Sequence, residues 1–459
     1  MKKYNFSRYT YLAILSYVCI FIVTILMILS VYPAAIPSDA TNILRHIFLE
    51  DRFNDWHPVT YYLFTKAVMY YFGTPHTMVV FHGLLWLYVQ FRIVYYLKKY
   101  CKPSSLILYT VFSLTFGIAA YEYITIFFKD VPFSISVLGI TITLLYIAKE
   151  GCKKSYLLEL CLWFFFLSCM RHMSWLPVFV GIILFSAFLL KANKKRECIS
   201  ILVFSTITLI LFSCFRTYLL NKYELEEPPK YVSCTMPLYM LGGYSVADFE
   251  LDENIVTTME KIMPLERWQD SYNSNIYWAD TLSRVYGGIG HDVDKVDTLD
   301  LRGELLIANV KYFFSHPIDY TYKLFRMNNM VWSIWRPKGG YMWLMPTFGN
   351  SEELAETFPE WKARPSIAYN FTCPIISFVK NNTVLRYITY SGGLSFLIIL
   401  ISIVILCIKR RWIYMSTLLP VFFVNCMMLL SIPAQDPRFI LPEIMVGCLW
   451  PAFALETNE

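Results

Sequence analysis

Carboxylates, imidazoles and cations stand in short polar turns between long apolar blocks of this chain. They are Asp39, Asp55, His57, Lys129, Asp130, Arg171, His172 and Arg438. Carboxylate and imidazole groups can move protons, and lysine and arginine can neutralise an anion such as a phosphate. Each turn alone also has an ordinary structural explanation, since an acid can cap a helix and Lys129-Asp130 can form a local ion pair. The set is informative only if the fold brings its members together.

The composition of the chain is that of a membrane protein. Of its 459 residues, 56% are hydrophobic and 16% are charged, and the mean hydropathy is +0.46. Soluble chains are about 45–50% apolar and about 25% charged, so disordered chains, coiled coils and ordinary soluble enzymes are excluded. The net charge of +6 does not indicate nucleic-acid binding, because the basic residues lie mostly at the ends of apolar blocks. The chain is predicted to be an all-α polytopic membrane protein.

Ten apolar segments are long enough, or nearly long enough, to cross a bilayer, which takes roughly 20 residues and at least about 17. They cover residues 11–31, 77–97, 105–121, 132–148, 156–170, 175–190, 199–219, 385–408, 412–432 and 439–455. The fifth is the shortest and needs flanking residues to cross. The first lacks a small-residue cleavage site, so it is predicted to stay as a span.

Clusters of lysine and arginine predict the orientation of these spans. They lie at residues 2–8, 98–102, 149–154, 191–196 and 409–411. With ten spans and both termini in the cytoplasm, every cluster falls on the cytoplasmic side, as the positive-inside rule requires. Merging 156–190 into one span would place the fourth cluster outside, so the charge pattern favours ten. The polar turns then all lie on the extracytoplasmic face.

Two long segments are also expected outside. The first outer loop, 32–57, leads into an aromatic stretch, 58–72, that is too short for a confident crossing and is expected at the membrane interface. Residues 220–384 change sharply in composition, with clustered acids, glycines and prolines, and are predicted to form a mixed α/β extracytoplasmic domain. The chain is thus divided into an N-terminal bundle, 1–219, this domain, and C-terminal membrane helices, 385–459.

The cysteines do not indicate a zinc site, because no CxxC pair or His/Cys cluster has zinc-ligand spacing. Of the 12 cysteines, only Cys234 and Cys373 lie in the predicted outer domain. An extracytoplasmic face would permit a disulfide between them, and both the bonded and the free states stay open.

The predicted span interiors are nearly free of charge. Arg92 and Glu159 lie near cytoplasmic ends, and Arg216 and Glu443 lie near outer ends. Ion-driven transporters usually carry acids or bases near the membrane midplane. Channels and proton-coupled carriers are therefore disfavoured. The polar turns outside the membrane are the candidates for a functional site.

Taken together, these turns resemble the GT-C superfamily, membrane glycosyltransferases that use polyprenyl-phosphate sugars. Protein O-mannosyltransferases and the aminoarabinose transferases of lipid A are examples. The similar pieces are Ser38-Asp39, Asn54-Asp55-Trp56-His57-Pro58, Lys129-Asp130-Val131-Pro132, Arg171-His172 and Asp436-Pro437-Arg438-Phe439 with Pro442. The resemblance covers the membrane core and leaves 220–384 unmatched. The adjacent acid pair of the mannosyltransferases is absent after Ser38, so the sugar and the acceptor stay open.

The resemblance implies a GT-C-like helical bundle and an inverting transfer from a polyprenyl-phosphate-linked sugar to a cell-envelope glycan, lipid or protein. It implies that Asp39 deprotonates the acceptor, with Asp55 and His57 as further catalytic residues. The residues implied in binding the donor phosphate are Lys129, Asp130, Arg171, His172 and Arg438. Asp55 could instead hold a divalent cation, so metal dependence stays open.

Two other classes of membrane protein stay open. A polysaccharide polymerase or ligase also has many spans and a large outer loop, but its key residues would lie in 220–384, so dependence on Asp39 separates the two. A lipid-linked saccharide exporter forms no bonds and needs a hydrophilic cavity within the membrane, which the sparse charge of the spans disfavours.

Overall fold

Long apolar stretches of this chain form helices, because a backbone in lipid must satisfy its hydrogen bonds internally. The structure, a computed structural model, describes residues 2–49, 57–223, 225, 230–280, 289–335, 344, 350, 352–432 and 434–454. The N-terminal elements are α1 (Lys2–Ser30), β1 (Val31–Tyr32), α2 (Ser38–Phe48), α3 (Val59–Phe72), α4 (His76–Tyr100), α5 (Pro103–Thr115), α6 (Ile118–Ile124), α7 (Asp130–Glu150), α8 (Lys154–Met170), α9 (Trp175–Lys191) and α10 (Lys195–Tyr223).

The rest of the described chain is also helical apart from one two-residue strand. Its middle elements are α11 (Lys230–Ser233), α12 (Thr235–Ser245), α13 (Glu253–Glu260), α14 (Leu265–Ser274), the 3₁₀-helix Gly290–Asp294, α15 (Lys295–Thr298), α16 (Arg302–Ser315), α17 (Pro317–Met327) and α18 (Asn329–Trp332). Its last elements are α19 (Glu352–Thr357), the 3₁₀-helix Pro359–Trp361, β2 (Arg364–Pro365), α20 (Tyr369–Asn381), α21 (Thr383–Tyr390), α22 (Gly392–Ile408), α23 (Trp412–Ser416), α24 (Leu419–Ser431), the 3₁₀-helix Pro437–Ile440, α25 (Leu441–Gly447) and α26 (Trp450–Ala454).

The chain divides into two compact units. The membrane unit comprises Met1–Glu226, Leu344–Asn425 and Arg438–Glu459, and the second unit comprises Glu227–Trp343 with Cys426–Pro437. In the membrane unit, β1 pairs antiparallel with β2, and Val31 lies opposite Pro365. Residues 344–384, predicted as part of the outer domain, therefore belong with the membrane helices.

The membrane character of the chain is confirmed by its helices. Five described helices are long and apolar enough to cross a bilayer: Arg8–Ser30, His76–Tyr100, Asp130–Glu150, Lys195–Tyr223 and Trp412–Ser431. Two more candidates are bent pairs, Pro103–Thr115 with Ile118–Ile124 at 58° and Thr383–Tyr390 with Gly392–Ile408 at 51°. The described helices thus support five to seven spans.

The predicted count of ten is not confirmed, because the other three apolar segments form short helices. Residues 156–170 and 175–190 correspond to α8 and α9, which have 17 residues each. Residues 439–455 are divided among a 3₁₀-helix, α25 and α26. Each piece is shorter than the roughly 20 residues that span the hydrocarbon.

Helix α7 is the centre of the membrane unit. The 18-residue window of this helix is entirely buried, which fits a helix that is apolar on every side. It packs against α4, α8 and α25. The approach of α8 is close at Gly139, where a Cβ atom would lie 2.5 Å from the Trp163 ring. Lys129 and Asp130 lie at the N-terminal end of α7.

The described residues of the second unit before 336, 230–280 and 289–335, contain helices and no strand, so the predicted mixed α/β content is not confirmed. Their core is aromatic. Trp268, Tyr239, Tyr272 and Tyr312 are at most 1% exposed, and the Trp268 indole donates a 3.1 Å hydrogen bond to the Met259 carbonyl. In this core a buried indole satisfies its polar atom by a backbone contact.

The two cysteines whose state was open are free thiols. Cys234 is buried and Cys373 is half-buried. A buried free cysteine behaves as a small apolar residue, so neither requires a redox role.

Candidate functional site

A short pairing of two chain segments places Asp39 beside Lys129. Ala35 forms a parallel bridge with Ile126, in which the Ala35 amide donates to the Thr125 carbonyl at 3.3 Å and the Ala35 carbonyl accepts from the Phe127 amide at 2.9 Å. Asp39 follows in the first turn of α2, where a carboxylate is favoured by the helix dipole. Asp39 therefore lies on a helix inside the predicted outer loop.

Asp39 pairs with Arg438, 399 residues later in the sequence. The Arg438 guanidinium donates to the Asp39 carboxylate, and the side chains are 15% and 34% exposed. Burial acts to raise the pKa of Asp39, but the positive charges of Arg438 and Lys129 hold that pKa well below its usual range. Asp39 is therefore ionised in the resting site.

A second pair joins His57 and Lys129. The Lys129 ammonium lies 2.6 Å from His57 Nδ1, so it donates and the neutral imidazole accepts. Burial, and next the charge of Lys129, lower the pKa of His57 well below its ordinary value. Burial lowers the pKa of Lys129 to about 8, although Asp130 acts in the opposite direction. At neutral pH the imidazole is uncharged and the amine carries most of its charge.

A third pair fixes the other cation. Arg171 donates to the Asp130 carboxylate at 2.9 Å, and Asp130 is only 2% exposed. Burial lowers the pKa of Arg171, yet an arginine stays protonated at any physiological pH. The suggested ion pair of Asp130 with Lys129 is thus replaced by one with Arg171. The carboxylate holds the guanidinium at the end of α8.

One aromatic ring links the two guanidinium groups. Phe439 lies 4.8 Å from the Arg438 guanidinium carbon and 5.1 Å from that of Arg171, measured to the ring centroid. Phe128 lies 4.9 Å from the Arg438 carbon on the same measure. Cation–π contacts of this kind orient a guanidinium without using its N–H donors. The aromatic contacts therefore do not compete with hydrogen bonds from the two guanidinium groups.

The predicted site residues are brought together with one exception. Asp39, His57, Lys129 and Arg438 interact directly or electrostatically, and His172 lies close enough to lower the pKa of His57. Asp55 falls outside the described residues, so its prediction stays open.

The sequence reasoning missed the aromatic members of this site. Phe128 and Phe439 directly adjoin Lys129 and Arg438 in the sequence, and this adjacency was the available signal. Tyr62 on α3 belongs to an aromatic stretch that was expected mainly as an interfacial belt and alternatively as a lining of the sugar site, and its ring lies 6.0 Å from that of His57. No local pattern distinguished Tyr62 from the other tyrosines of α3.

The described residues of the site carry a positive excess. Among them, Lys129, Arg171 and Arg438 supply three cations, whereas Asp39 and Asp130 supply two anions, and His57 is neutral. Within the described residues, no group of three or more His, Cys, Asp or Glu side chains is arranged to hold a metal ion. The arrangement can therefore accept an anion next to a carboxylate that can accept a proton.

Comparison with protein-family models, with curated proteins and with solved structures finds no match to this chain.

Proposed function

We propose that this chain is a membrane glycosyltransferase that moves a sugar from a polyprenyl-phosphate donor to a cell-envelope glycan, lipid or protein. The observation that carries the proposal is the meeting of Asp39 with Arg438 and Lys129, because it sets one ionised carboxylate among cations that can bind phosphate. The GT-C resemblance of the same residues supports the choice of a sugar donor.

In the proposed reaction, an acceptor oxygen or nitrogen attacks the anomeric carbon of the donor. The bond from that carbon to the phosphate oxygen breaks, and its electron pair leaves with polyprenyl phosphate. Asp39 takes the proton of the nucleophile, while Arg438 and Lys129 stabilise the negative charge on the departing phosphate. Attack opposite the leaving group inverts the anomeric centre.

The contact between Asp39 and Arg438 gives donor binding a second effect. A carboxylate that an arginine holds at a low pKa is a weak base. A donor phosphate would compete for the Arg438 guanidinium, and the freed carboxylate would become more basic. The base is thus activated when the leaving group is in place.

The remaining residues have supporting roles in the proposal. Arg171, fixed by Asp130, adds positive charge near the phosphate, and His57 holds the Lys129 ammonium by accepting its hydrogen bond. His172 is a further phosphate donor, and Asp55 would orient the acceptor or bind a divalent cation. Measuring sugar transfer with and without EDTA tests whether the reaction depends on a divalent cation.

The test is transfer of labelled sugar from lipid-linked donor in vesicles that carry the full chain or Asp39→Asn. The substitution preserves shape and removes the base, so we expect the rate to fall by about 10²–10⁴-fold at normal abundance and normal donor binding. The control variant Asp270→Asn makes the same chemical change at an exposed acid of the second unit. It should transfer sugar at the wild-type rate.

Transfer by Asp39→Asn at close to the wild-type rate would remove Asp39 from the mechanism. The polymerase or ligase and the exporter would then be the leading alternatives. A polymerase or ligase would instead lose activity on substitutions within 220–384, and an exporter would move lipid-linked saccharide without forming a bond.

The proposed topology has ten crossings, cytoplasmic termini and an extracytoplasmic site. The basic loops support this orientation, and the short helices α8 and α9 count as crossings in it. A reporter fused after Arg196 or Arg411 should report cytoplasm, and one inserted at Asn254 should report the exterior. A cytoplasmic signal at Asn254 would place the site on the wrong face for this donor chemistry.

A further inference from the structure

A groove separate from the outer site runs between α8 and α10. Its volume is 840 Å³, within the range of about 300–1,000 Å³ that small-molecule sites occupy. Lys154, Leu157 and Cys161 line it from α8, and Arg196, Phe204 and Leu211 line it from α10. The spacing of these residues corresponds to one face of each helix. The two helices therefore form opposite walls of one continuous groove.

Helices α8 and α10 run in the same direction along the groove and contact each other at two places. Lys154 and Arg196 lie at the first turns of their helices, and further along Cys161 Sγ contacts the Phe204 carbonyl at 3.8 Å. Beyond that contact, the Phe165 ring packs against Phe212 at 6.3 Å. The groove thus begins between two charged side chains and ends near two aromatic rings that pack together.

The length of the groove suits a lipid chain. On α10 the lining residues run from Arg196 to Leu211, or about 22 Å along the helix, and on α8 they run from Lys154 to Cys161, or about 10 Å. One leaflet contributes about 15 Å to a hydrocarbon core of about 30 Å. The groove is therefore long enough for a head group and one extended acyl chain, and its middle is lined by apolar side chains.

The charge at its beginning suits an anion. Lys154 and Arg196 are exposed, and within the described residues neither pairs with a carboxylate, whereas neighbouring Lys153 pairs with Glu150. Glu197 also lines the groove and offsets one of the two positive charges. The N-termini of α8 and α10, which open here, add partial positive charge. The mouth therefore keeps a positive excess.

We propose that this groove binds one anionic glycerophospholipid of the leaflet on the side of the basic loops. Its phosphate lies between Lys154 and Arg196, and one acyl chain follows the apolar walls past Phe204. The site is separate from the proposed sugar transfer and does not depend on it.

The test reconstitutes the full chain in nanodiscs of equal phosphatidylglycerol and phosphatidylcholine and counts the lipids retained after mild detergent extraction by mass spectrometry. The wild-type chain should retain phosphatidylglycerol preferentially. In the double variant Lys154→Gln/Arg196→Gln, this preference should fall by about 10- to 30-fold, since each cation near a bilayer surface contributes attraction to anionic lipid. The matched control Lys102→Gln/Arg410→Gln removes two exposed cations elsewhere and should keep the preference.

Two further variants separate a seated lipid from general attraction to a charged surface. Ser200→Trp and Leu158→Trp fill the groove and leave its cations in place, so both should lose the retained phosphatidylglycerol. Retention by both filled variants would mean a surface charge effect only and would overturn the proposal. Wild-type preference in Lys154→Gln/Arg196→Gln, or equal retention of both lipids by the wild-type chain, would also overturn it.

Discussion

Two of the ion pairs that join N-terminal helices of the membrane unit to its C-terminal segments differ in their balance of charge. Glu122 of α6 accepts hydrogen bonds from Lys380 and from the Tyr390 hydroxyl. The side chains of Glu122 and Lys380 are only 2% and 9% exposed. This buried ion pair is called the closed pair below. Asp39 and Arg438 are 34% and 15% exposed and have further cations beside them.

The difference concerns what each pair can still bind. In the closed pair, one acid, one base and one hydroxyl satisfy each other, so no charge is in excess. Among the described residues of the outer site, three cations face two carboxylates, and Phe439 contacts two guanidinium groups without occupying their donors. A balanced buried pair holds elements together, whereas an unbalanced and partly exposed one can take up an anion.

The largest effect is expected from breaking the closed pair. Lys380→Met leaves the buried Glu122 carboxylate without its cation, so the free energy of unfolding should fall by about 3–5 kcal/mol. The measurement is an unfolding titration in mixed SDS micelles. The double variant Glu122→Gln/Lys380→Met should recover most of the loss, because it removes both charges.

The same variants sharpen the contrast between the two pairs. Sugar transfer per folded Lys380→Met molecule should equal that of the wild-type chain, because Glu122 and Tyr390, which Lys380 contacts, are not residues of the outer site. The exposed Lys102→Met should leave stability unchanged. A loss of specific activity without loss of stability in Lys380→Met would contradict the structural role given to this pair.

A smaller effect is expected from Arg438. Arg438→Ala removes a guanidinium that can form two parallel hydrogen bonds to the phosphate of the sugar donor. The value of kcat/KM for sugar transfer should therefore fall by about 10- to 100-fold. Arg438→Lys should recover little, because an ammonium cannot present two parallel donors. Equal activity of Arg438→Lys and the wild-type chain, measured at normal abundance, would show that Arg438 contributes only its positive charge.

The smallest effect is a dependence on pH through Lys129. Burial lowers the pKa of Lys129 to about 8, so its charge is present below that pH and is lost as the pH rises through it. The value of kcat/KM should therefore decline by about three- to tenfold between pH 7 and pH 9. Lys129→Arg keeps its charge and should flatten this decline. A wild-type profile that is already flat would show that the charge of Lys129 does not contribute.

Much of the fold could be predicted from the sequence because lipid imposes strong local rules. The ten predicted segments correspond to single helices or to runs of two or three shorter helices, but where they break was not predicted. Gly117 separates α5 from α6, and a Cβ atom there would lie 2.5 Å from the Ser113 carbonyl oxygen. The strand content predicted for 220–384 was not confirmed, since glycine and proline clusters mark turns without specifying the elements between them.

The residue types at the outer site were also predictable, but their partners were not. Asp39, Lys129, Arg171 and Arg438 stand out because charge is rare in this chain. Asp130 precedes Val131 beside Lys129, and nothing local indicates that its partner is Arg171 on another helix. A pairing across helices depends on how the helices pack and on which carboxylate loses its water.

The sequence by itself determined that the chain enters the membrane and that its reactive groups stand in polar turns, because hydropathy and charge act residue by residue. Only the tertiary structure decided that Asp39 meets Arg438 across 399 residues. It also decided that α8 and α10 lie side by side and form a groove. Both depend on how distant helices pack against each other, because buried charges need partners and apolar surfaces need neighbours wherever the chain can supply them.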